Sequence, residues 1–452
     1  MSITLYPHQI QGSAFLASKG FAGLFAGMGT GKTLTSLDAV RAVWEDEAML
    51  RVLIIAPPIA LPMWQREAAN YLKLYDNRIQ ILKTGKISKE AQILVTSYQR
   101  AVNRRPELSE WLNGGILICD ESHALKSVKA KRTKAVLGNG GLASHASHTW
   151  LLTGTPITRW NDDMYPFLCR ADLSGMKDKL GGVAKERFDM RFTVRKKKQW
   201  AGARWPVMLT VGNRHTDELA EWVYGEGHAL RFDLDEVFKS MPPLTVNRYT
   251  IGIDADAELK SMLKDLEKAT IAEIQQKMQN KEPALATVRR RLGAAKVRDA
   301  VVEIKERIES GQKVLVGAWH NEVIDALFEG LKGHARGVID GRTSDKDRET
   351  CVSEWNAGNV DVLIGQIAAM GVSLNLQQGG HQIIVVEEDW SPSIMDQFYA
   401  RLWRFGQEKH VHVDILESES KLDKALASIS SAKQRQHNLF NKIGKAHTDA
   451  AQ

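Results

Sequence analysis

FAGLFAGMGTGKTLTSLDAVRAVW, residues 21–44, reads as a short apolar strand, a glycine-rich turn and a helix in direct succession. Glycines let a backbone curl so that successive N–H groups face one point, and the helix that follows presents its positive end there. The turn Gly27, Met28, Gly29, Thr30, Gly31, Lys32, Thr33 therefore forms a phosphate cradle, in which Lys32 reaches the outer phosphates and the Thr33 hydroxyl faces a magnesium ion. Ala26 stands where the P-loop pattern has its first glycine, which is harmless if that residue keeps a negative φ.

On either side of this segment the same alternation continues. VLIIAP, AQILVTSY, GGILICDE and HTWLLTGTP are short apolar runs that end in polar or glycine-rich turns, with helical stretches between them. This is the pattern of a parallel sheet wrapped by helices, whose chemistry gathers at the carboxyl ends of the strands. A second series, KVLVGAW, RGVIDG, VDVLIGQ, HQIIVVEE and VHVDILE, begins after about residue 310 and repeats the architecture without repeating the sequence. The expected fold is α/β with two tandem parallel-sheet lobes. The dipeptide Pro242-Pro243 marks the boundary, giving residues 1–243 and 244–452. The stretch from about 256 to 310 is helix-rich, and the tail from about 430 reads as a polar helix that frays.

A chain of 452 residues accommodates two such lobes. No apolar run approaches the roughly 18 residues of a membrane span, and MSITLYPHQIQGSAFLASKG lacks the charge pattern of a signal peptide. Cys119, Cys169 and Cys351 are far apart and form neither a zinc pattern nor a disulfide framework, as expected of buried thiols in a reducing cytoplasm. The net charge of +7 and the pI near 9.1 suit a polyanionic partner, although many basic proteins have none.

GGILICD ends in Asp120-Glu121-Ser122-His123. Beside a P-loop, an aspartate at a strand end can hold a magnesium shell and the next glutamate can orient or deprotonate a water. Taken alone, two adjacent carboxylates are as easily solvated charge.

Together, Lys32 and Asp120-Glu121-Ser122-His123 resemble the DExH signature of superfamily-two helicases. LLTGTPITRW (151–160) is similar to the third motif of the Swi/Snf-type DNA translocases. The resemblance runs almost end to end. LYPHQ (5–9) resembles the adenine-reading Q motif, IIAPPIALPMWQRE motif Ia, and VTSYQ (95–99) the next nucleic-acid motif. KVLVGAWHNEVIDAL resembles motif IV, IDGRTSDKDR the segment after it, AAMGVSLNL (368–376) motif V, and DQFYARLWRFGQ (396–407) motif VI. LRFDLDEVFKSMPP (230–243) departs from its family counterpart, with Phe232 and Leu234 in place of an arginine and a lysine. FTVRKKKQWAGARWPVMLTVGNRHTDELAEWV and AAKVRDAVVEIKERIESGQKVLVGAWHNEVIDAL resemble segments of the annealing-helicase branch.

The resemblance implies two RecA-like lobes of a P-loop NTPase helicase core. The first is an ATP-binding lobe with a short family-specific insertion, the second a helicase lobe, and ATP with Mg²⁺ lies between them. Lys32, Asp120, Glu121, Arg401 and Arg404 would be catalytic, the two arginines as fingers sharing one helix face. Gln9, Gly27 to Thr33 and Gln397 would contact the nucleotide, and Thr33 and Asp120 the metal. His123, Thr153, Gly154, Thr155 and Gly371 would link nucleotide state to DNA.

The partner implied is double-stranded DNA held without sequence preference through its phosphates. A basic helix after Asp120–His123, carrying Lys126, Lys129, Lys131, Arg132 and Lys134, would face those phosphates or simply be solvated. The run Arg195 to Lys198 reads as a loop that either touches DNA or is solvated. His145 and His148 read as loop histidines. The expected activity is that of a DNA-stimulated ATPase translocating on and remodelling duplex DNA, by strand annealing or fork remodelling. It would act as a cytoplasmic monomer in a bacterium or a phage-infected cell. A strand-separating DNA or RNA helicase, and an ATP-switched DNA clamp with slow hydrolysis, are the alternatives.

Overall fold

The structure, a computed structural model, describes residues 4–46, 49–158, 160–199, 205–238, 241–279, 282–371, 374–431 and 440. Position 159 of LLTGTPITRW, 200–204 of the tryptophan-containing segment, 239–240, 372–373 of AAMGVSLNL and nearly all of the tail lie outside the described residues. The chain forms two compact units, Met1–Val237 with Arg435–Gln452, and Phe238–Gln434.

In the first unit, strands β1 (Phe21–Leu24), β2 (Val52–Ile55), β3 (Ile79–Ile81), β4 (Ile93–Thr96), β5 (Ile116–Cys119) and β6 (His148–Leu152) are followed by β7 (Thr193–Lys198), β8 (Val207–Asn213) and β9 (Ala229–Leu230). Seven of them build one parallel sheet in the order β3-β4-β2-β5-β6-β1-β9, while β7 and β8 pair antiparallel as a separate ribbon. β2, β4 and β5 are buried at every position, which explains their unbroken Val, Ile and Leu. The order places β1 beside β6, β6 beside β5 and β5 beside β2. The turns leaving these strands are therefore neighbours at the carboxyl end of the sheet. Among the flanking helices are α1 (Pro7–Ala17), α2 (Lys32–Asp46) and α3 (Leu61–Leu72). Near the C-terminus, Phe440 packs on Tyr224 in the first unit's core, ring centroids 5.3 Å apart.

The second unit contains β10 (Leu244–Thr250), β11 (Val314–Ala318), β12 (Arg336–Ile339), β13 (Val362–Gln366), β14 (Gln382–Val385) and β15 (Val411–Glu417), all parallel, in the order β10-β15-β14-β11-β13-β12. The central strands serve two cores. Leu315, Ile383 and Val385 pack on one side with Trp355 and Phe398, whereas Val314, Val316 and Ile384 pack on the other with Ala300 and Leu327. The period of two along a strand dictates this split. The helix-rich stretch forms helices Ala257–Glu267, Ile271–Gln279 and Pro283–Glu309.

The periodicity of the sequence points to most of the sheet strands but not to β3, β9 and β10, which lie at sheet edges. There, short or partly exposed runs carry little apolar signal. The run Arg195–Lys198 belongs to strand β7, which corrects the expectation of a loop; its backbone pairs with β8 through Arg195↔Thr210 to Lys198↔Val207. Among the described residues no helix is long and apolar enough to cross a membrane.

Candidate active site

The turn after β1 curls back through two left-handed glycines, Gly29 (φ 79) and Gly31 (φ 84), before α2 begins at Lys32. Ala26 keeps a negative φ, so the missing glycine costs nothing. Thr30 closes the loop with its hydroxyl on Gly27 O at 2.8 Å, and Lys32 Nζ donates to Ala26 O at 2.8 Å and Gly27 O at 3.0 Å. The ammonium is thus held within the cradle. At the start of α1, Gln9 Oε1 accepts from Tyr6 N at 2.9 Å, and a Cβ at Gly31 would sit 2.1 Å from Gln9 Nε2. Gly31 therefore serves both its φ and the close approach of Gln9. His8, which burial holds below the ordinary imidazole pKa, donates from Nε2 to Thr30 O at 2.8 Å. Its ring meets Phe232 edge-on, with centroids 5.6 Å apart, so the phenylalanine that replaces an arginine here packs over the α1 side of the loop.

Beyond β5, Trp64 Nε1 donates to Asp120 Oδ2 at 2.8 Å, the Glu121 amide donates to Asp120 Oδ1 at 2.9 Å, and Tyr98 Oη donates to Asp120 O at 2.7 Å. Burial, and next the neighbouring Glu121 charge, push the Asp120 carboxyl above its usual range, against the pull of Trp64 and Lys32. Glu121 is left-handed (φ 48), a conformation that costs a non-glycine residue about 1 kcal/mol or more and tends to occur at functional sites. His123 Nδ1 lies 3.2 Å from Glu121 Oε2 and 3.2 Å from Thr153 Oγ1. Thr153 in turn accepts from Thr155 N at 3.1 Å. A Cβ on Gly154 would meet Met28 Cγ at 3.3 Å, so the TGTP turn lies against the phosphate loop. The structure brings Lys32, Asp120, Glu121, His123, Thr153, Gly154 and Thr155 to the carboxyl end of one sheet.

A groove of about 510 Å³ opens from Glu121 and His123 and is also lined by Pro57, Tyr98, Lys131 and Arg132. The expected basic helix is broken. Ser122–Leu125 is a 3₁₀ turn, Ala130 N closes a second turn on Ser127 O, and only Lys131–Val136 is helical. Lys129, Lys131, Arg132 and Lys134 are exposed, while Lys126 donates to Thr158 Oγ1.

In the second unit, the helix Pro392–Tyr399 carries Gln397 but stops before either arginine, correcting the shared helix face. Instead Arg401 N bonds Phe398 O, Leu402 N bonds Tyr399 O, and Gln407 Nε2 ties Gln377 O, Gly380 O and Leu402 O across a turn that closes at left-handed Gly406. Both guanidinium groups nevertheless meet at one acceptor, Leu374 O, at 3.0 Å from Arg401 and 3.1 Å from Arg404. Arg401 is buried and also donates to Gln397 O at 2.9 Å, while Arg404 is half-buried and reaches the Asn375 side chain. A Cβ on Gly371 would lie 3.5 Å from Gln397 Cβ, which joins motif V to the same cluster.

Trp64, His8 and Tyr98 are the polar contacts that sequence reading passed over. Trp64 sits in an apolar run and reads as core. It is core, but its one polar atom points at Asp120.

Residues 8–198 match the SNF2-related domain, and residues 295–406 match the helicase conserved C-terminal domain. The SWI/SNF-related matrix-associated actin-dependent regulator of chromatin subfamily A-like protein 1 of Xenopus tropicalis is 26% identical over 93% of this chain and 43% of its own length. Protein p41 of Acyrthosiphon pisum secondary endosymbiont phage 1 is 23% identical over 93% of this chain and 94% of its own. The Sulfolobus solfataricus SWI2/SNF2 ATPase core in complex with dsDNA aligns over 99% of this chain and 94% of that one, at 19% identity and a TM-score of 0.45. The chain thus spans less than half the length of the Xenopus protein.

Proposed function

The chain belongs to the SNF2-related, SWI/SNF-type ATPases, and we propose that it couples ATP hydrolysis to movement along double-stranded DNA. One observation carries this reading. The groove that starts at Glu121 and His123 runs to the exposed cations Lys131 and Arg132, linking the hydrolytic end of the sheet to a phosphate-binding surface. The Glu121–His123–Thr153 contacts offer a route by which a change at the phosphate site shifts that surface.

The site suits a divalent cation: Asp120 and Glu121 are adjacent carboxylates, and burial and mutual repulsion raise the Asp120 pKa. Thr33 and Asp120 would hold the ion. Magnesium supplies positive charge against the phosphates when bound. Lys32 would leave Ala26 O and Gly27 O to pair with phosphate oxygens, and Glu121 would accept a proton from the attacking water. Arg401 and Arg404 would supply the charge that stabilises the transferring phosphoryl group. Gln9 would read the base, and Gln397 with Gly371 would follow the nucleotide state.

ATP turnover measured in parallel with no nucleic acid, blunt duplex, forked DNA, single-stranded DNA and RNA tests the reading, together with third-strand displacement from a triplex. Duplex should stimulate turnover most, and the triplex should lose its third strand only with ATP. Efficient unwinding of tailed duplexes without triplex displacement would give the chain to strand separation. Tight DNA binding without stimulation would make it a clamp.

A further inference from the structure

The ribbon β7–β8 stands apart from both parallel sheets, and its surface chemistry is unusual. Side chains in a strand alternate between faces, yet the consecutive residues Lys196 and Lys197 are both exposed, as are the consecutive Val207 and Met208 on the partner strand. Both faces of the outer ribbon are therefore solvated. Cross-strand pairing sets Lys198 beside Val207 and Lys197 beside Met208, so cations and apolar side chains alternate over the same few ångströms. Trp205, which leads into β8, is 71% exposed, and Val211 is exposed further along. At its root the ribbon is fixed: Arg195 pairs with Asp189 at 3.5 Å, Thr193 Oγ1 donates to Asp189 O at 2.6 Å, and Asn213 Oδ1 accepts from Asn161 N at 2.8 Å.

A two-stranded ribbon gains little stability from burial, and one that keeps valine, methionine and tryptophan in water presents them to a partner. Phosphates alone would call for lysines alone. An unpaired nucleic-acid strand offers both phosphates and bare, flat, apolar base faces within one nucleotide, which is what interleaved lysines and apolar side chains complement. We propose that β7–β8 binds a single-stranded DNA segment, with Lys196 and Lys197 on its phosphates and Trp205, Val207 and Met208 against its bases. This inference rests on the reading of the chain as a DNA-bound ATPase, and it assigns a second DNA element away from the Lys131–Arg132 groove.

The full chain, wild type and carrying Lys196→Ala with Lys197→Ala or Trp205→Ala, is titrated with oligo(dT), a tailed fork and a blunt duplex. Oligo(dT) and fork affinity should fall about tenfold in each variant, as expected for losing a stacking residue or two phosphate contacts. In the double-lysine variant the log–log salt slope for oligo(dT) should shrink by roughly 1.4, or about 0.7 per contact. Blunt-duplex affinity and duplex-stimulated turnover should stay unchanged. Unaltered fork and oligo(dT) affinities beside intact duplex stimulation would overturn the ribbon's role and leave the ATPase reading standing. A wild-type chain that neither binds nor responds to any DNA would overturn both. Dimers that dissociate on Met208→Asp, with strand affinity unchanged, would give the ribbon to a second copy of the chain.

Discussion

The carboxyl end of the first sheet and the turn after helix Pro392–Tyr399 both gather polar side chains, but they are held in opposite ways. At the end of the sheet the side chains come from the turns after the strands and from the helices that follow, and the groups bind one another: Trp64 on Asp120, His123 between Glu121 and Thr153, Lys32 on its own loop. In the second unit the arginines are held at backbone carbonyls and at one amide, and two of their donors share Leu374 O. A network of partners positions a charge by mutual constraint. Carbonyl capping holds a charge in place but leaves its substitution cheap where the side chain is half-exposed.

The largest expected effect tests this difference directly. Arg404→Ala should cut turnover by about three orders of magnitude, the scale of an arginine finger, without moving the melting temperature. Arg401→Ala should cut turnover similarly and also destabilise, because it removes the side-chain donor to the buried Gln397 O and leaves Leu374 O to Arg404 alone, at a cost of about 1–3 kcal/mol. Steady-state kinetics beside thermal melts separate the two. Equal melting losses would show that both arginines are structural.

On the other side of the comparison, Lys32→Ala should lower turnover by about 10²- to 10³-fold with the fold intact, since the half-buried lysine donates to the loop carbonyls Ala26 O and Gly27 O and would meet developing phosphate charge. Unchanged turnover in the folded variant would remove the phosphate-cradle assignment.

Asp120→Asn should lower turnover and, relative to the wild type, gain melting temperature as pH rises, by about 2–4 °C for each kcal/mol recovered, against a pH-independent loss where its amide NH2 faces the Trp64 or Glu121 N–H. The sign follows from the raised pKa. A carboxyl that binds its proton more tightly when folded contributes stability below its unfolded pKa and loses it as pH climbs through the folded value. The gain on substitution should therefore be larger at pH 8 than at pH 4, and a pH-independent difference would contradict the burial argument.

Trp64→Phe is the smallest and most specific change. It keeps most of the ring volume in a fully buried site but deletes the donor to Asp120 Oδ2. Turnover should fall severalfold and the magnesium needed for half-maximal rate should rise, whereas a purely structural tryptophan would lower stability alone.

The amino-acid sequence determined what depends on neighbours along the chain. Apolar runs closed by polar turns specify parallel strands, and the glycine spacing before Lys32 specifies a loop curled through left-handed Gly29 and Gly31 ahead of a helix, because backbone conformation and strand burial are local properties. The motif order likewise placed Asp120, Glu121, Thr153 and Arg404 in their segments. Contacts between segments distant in sequence were decided by the tertiary structure. The pairing of Trp64 with Asp120 joins helix α3, which follows β2, to the turn after β5 only because those strands are adjacent in the sheet. The left-handed backbone at Glu121 and the break in the basic segment are set by what packs around them. Arg401 and Arg404 leave the expected helix because Gln407 ties the chain into a turn against carbonyls some 25 to 30 positions away, a constraint invisible to helical periodicity. Arg195–Lys198 became a strand for the same reason: four cations have no strand signal of their own, and pairing with β8 supplies the hydrogen bonds that fix them.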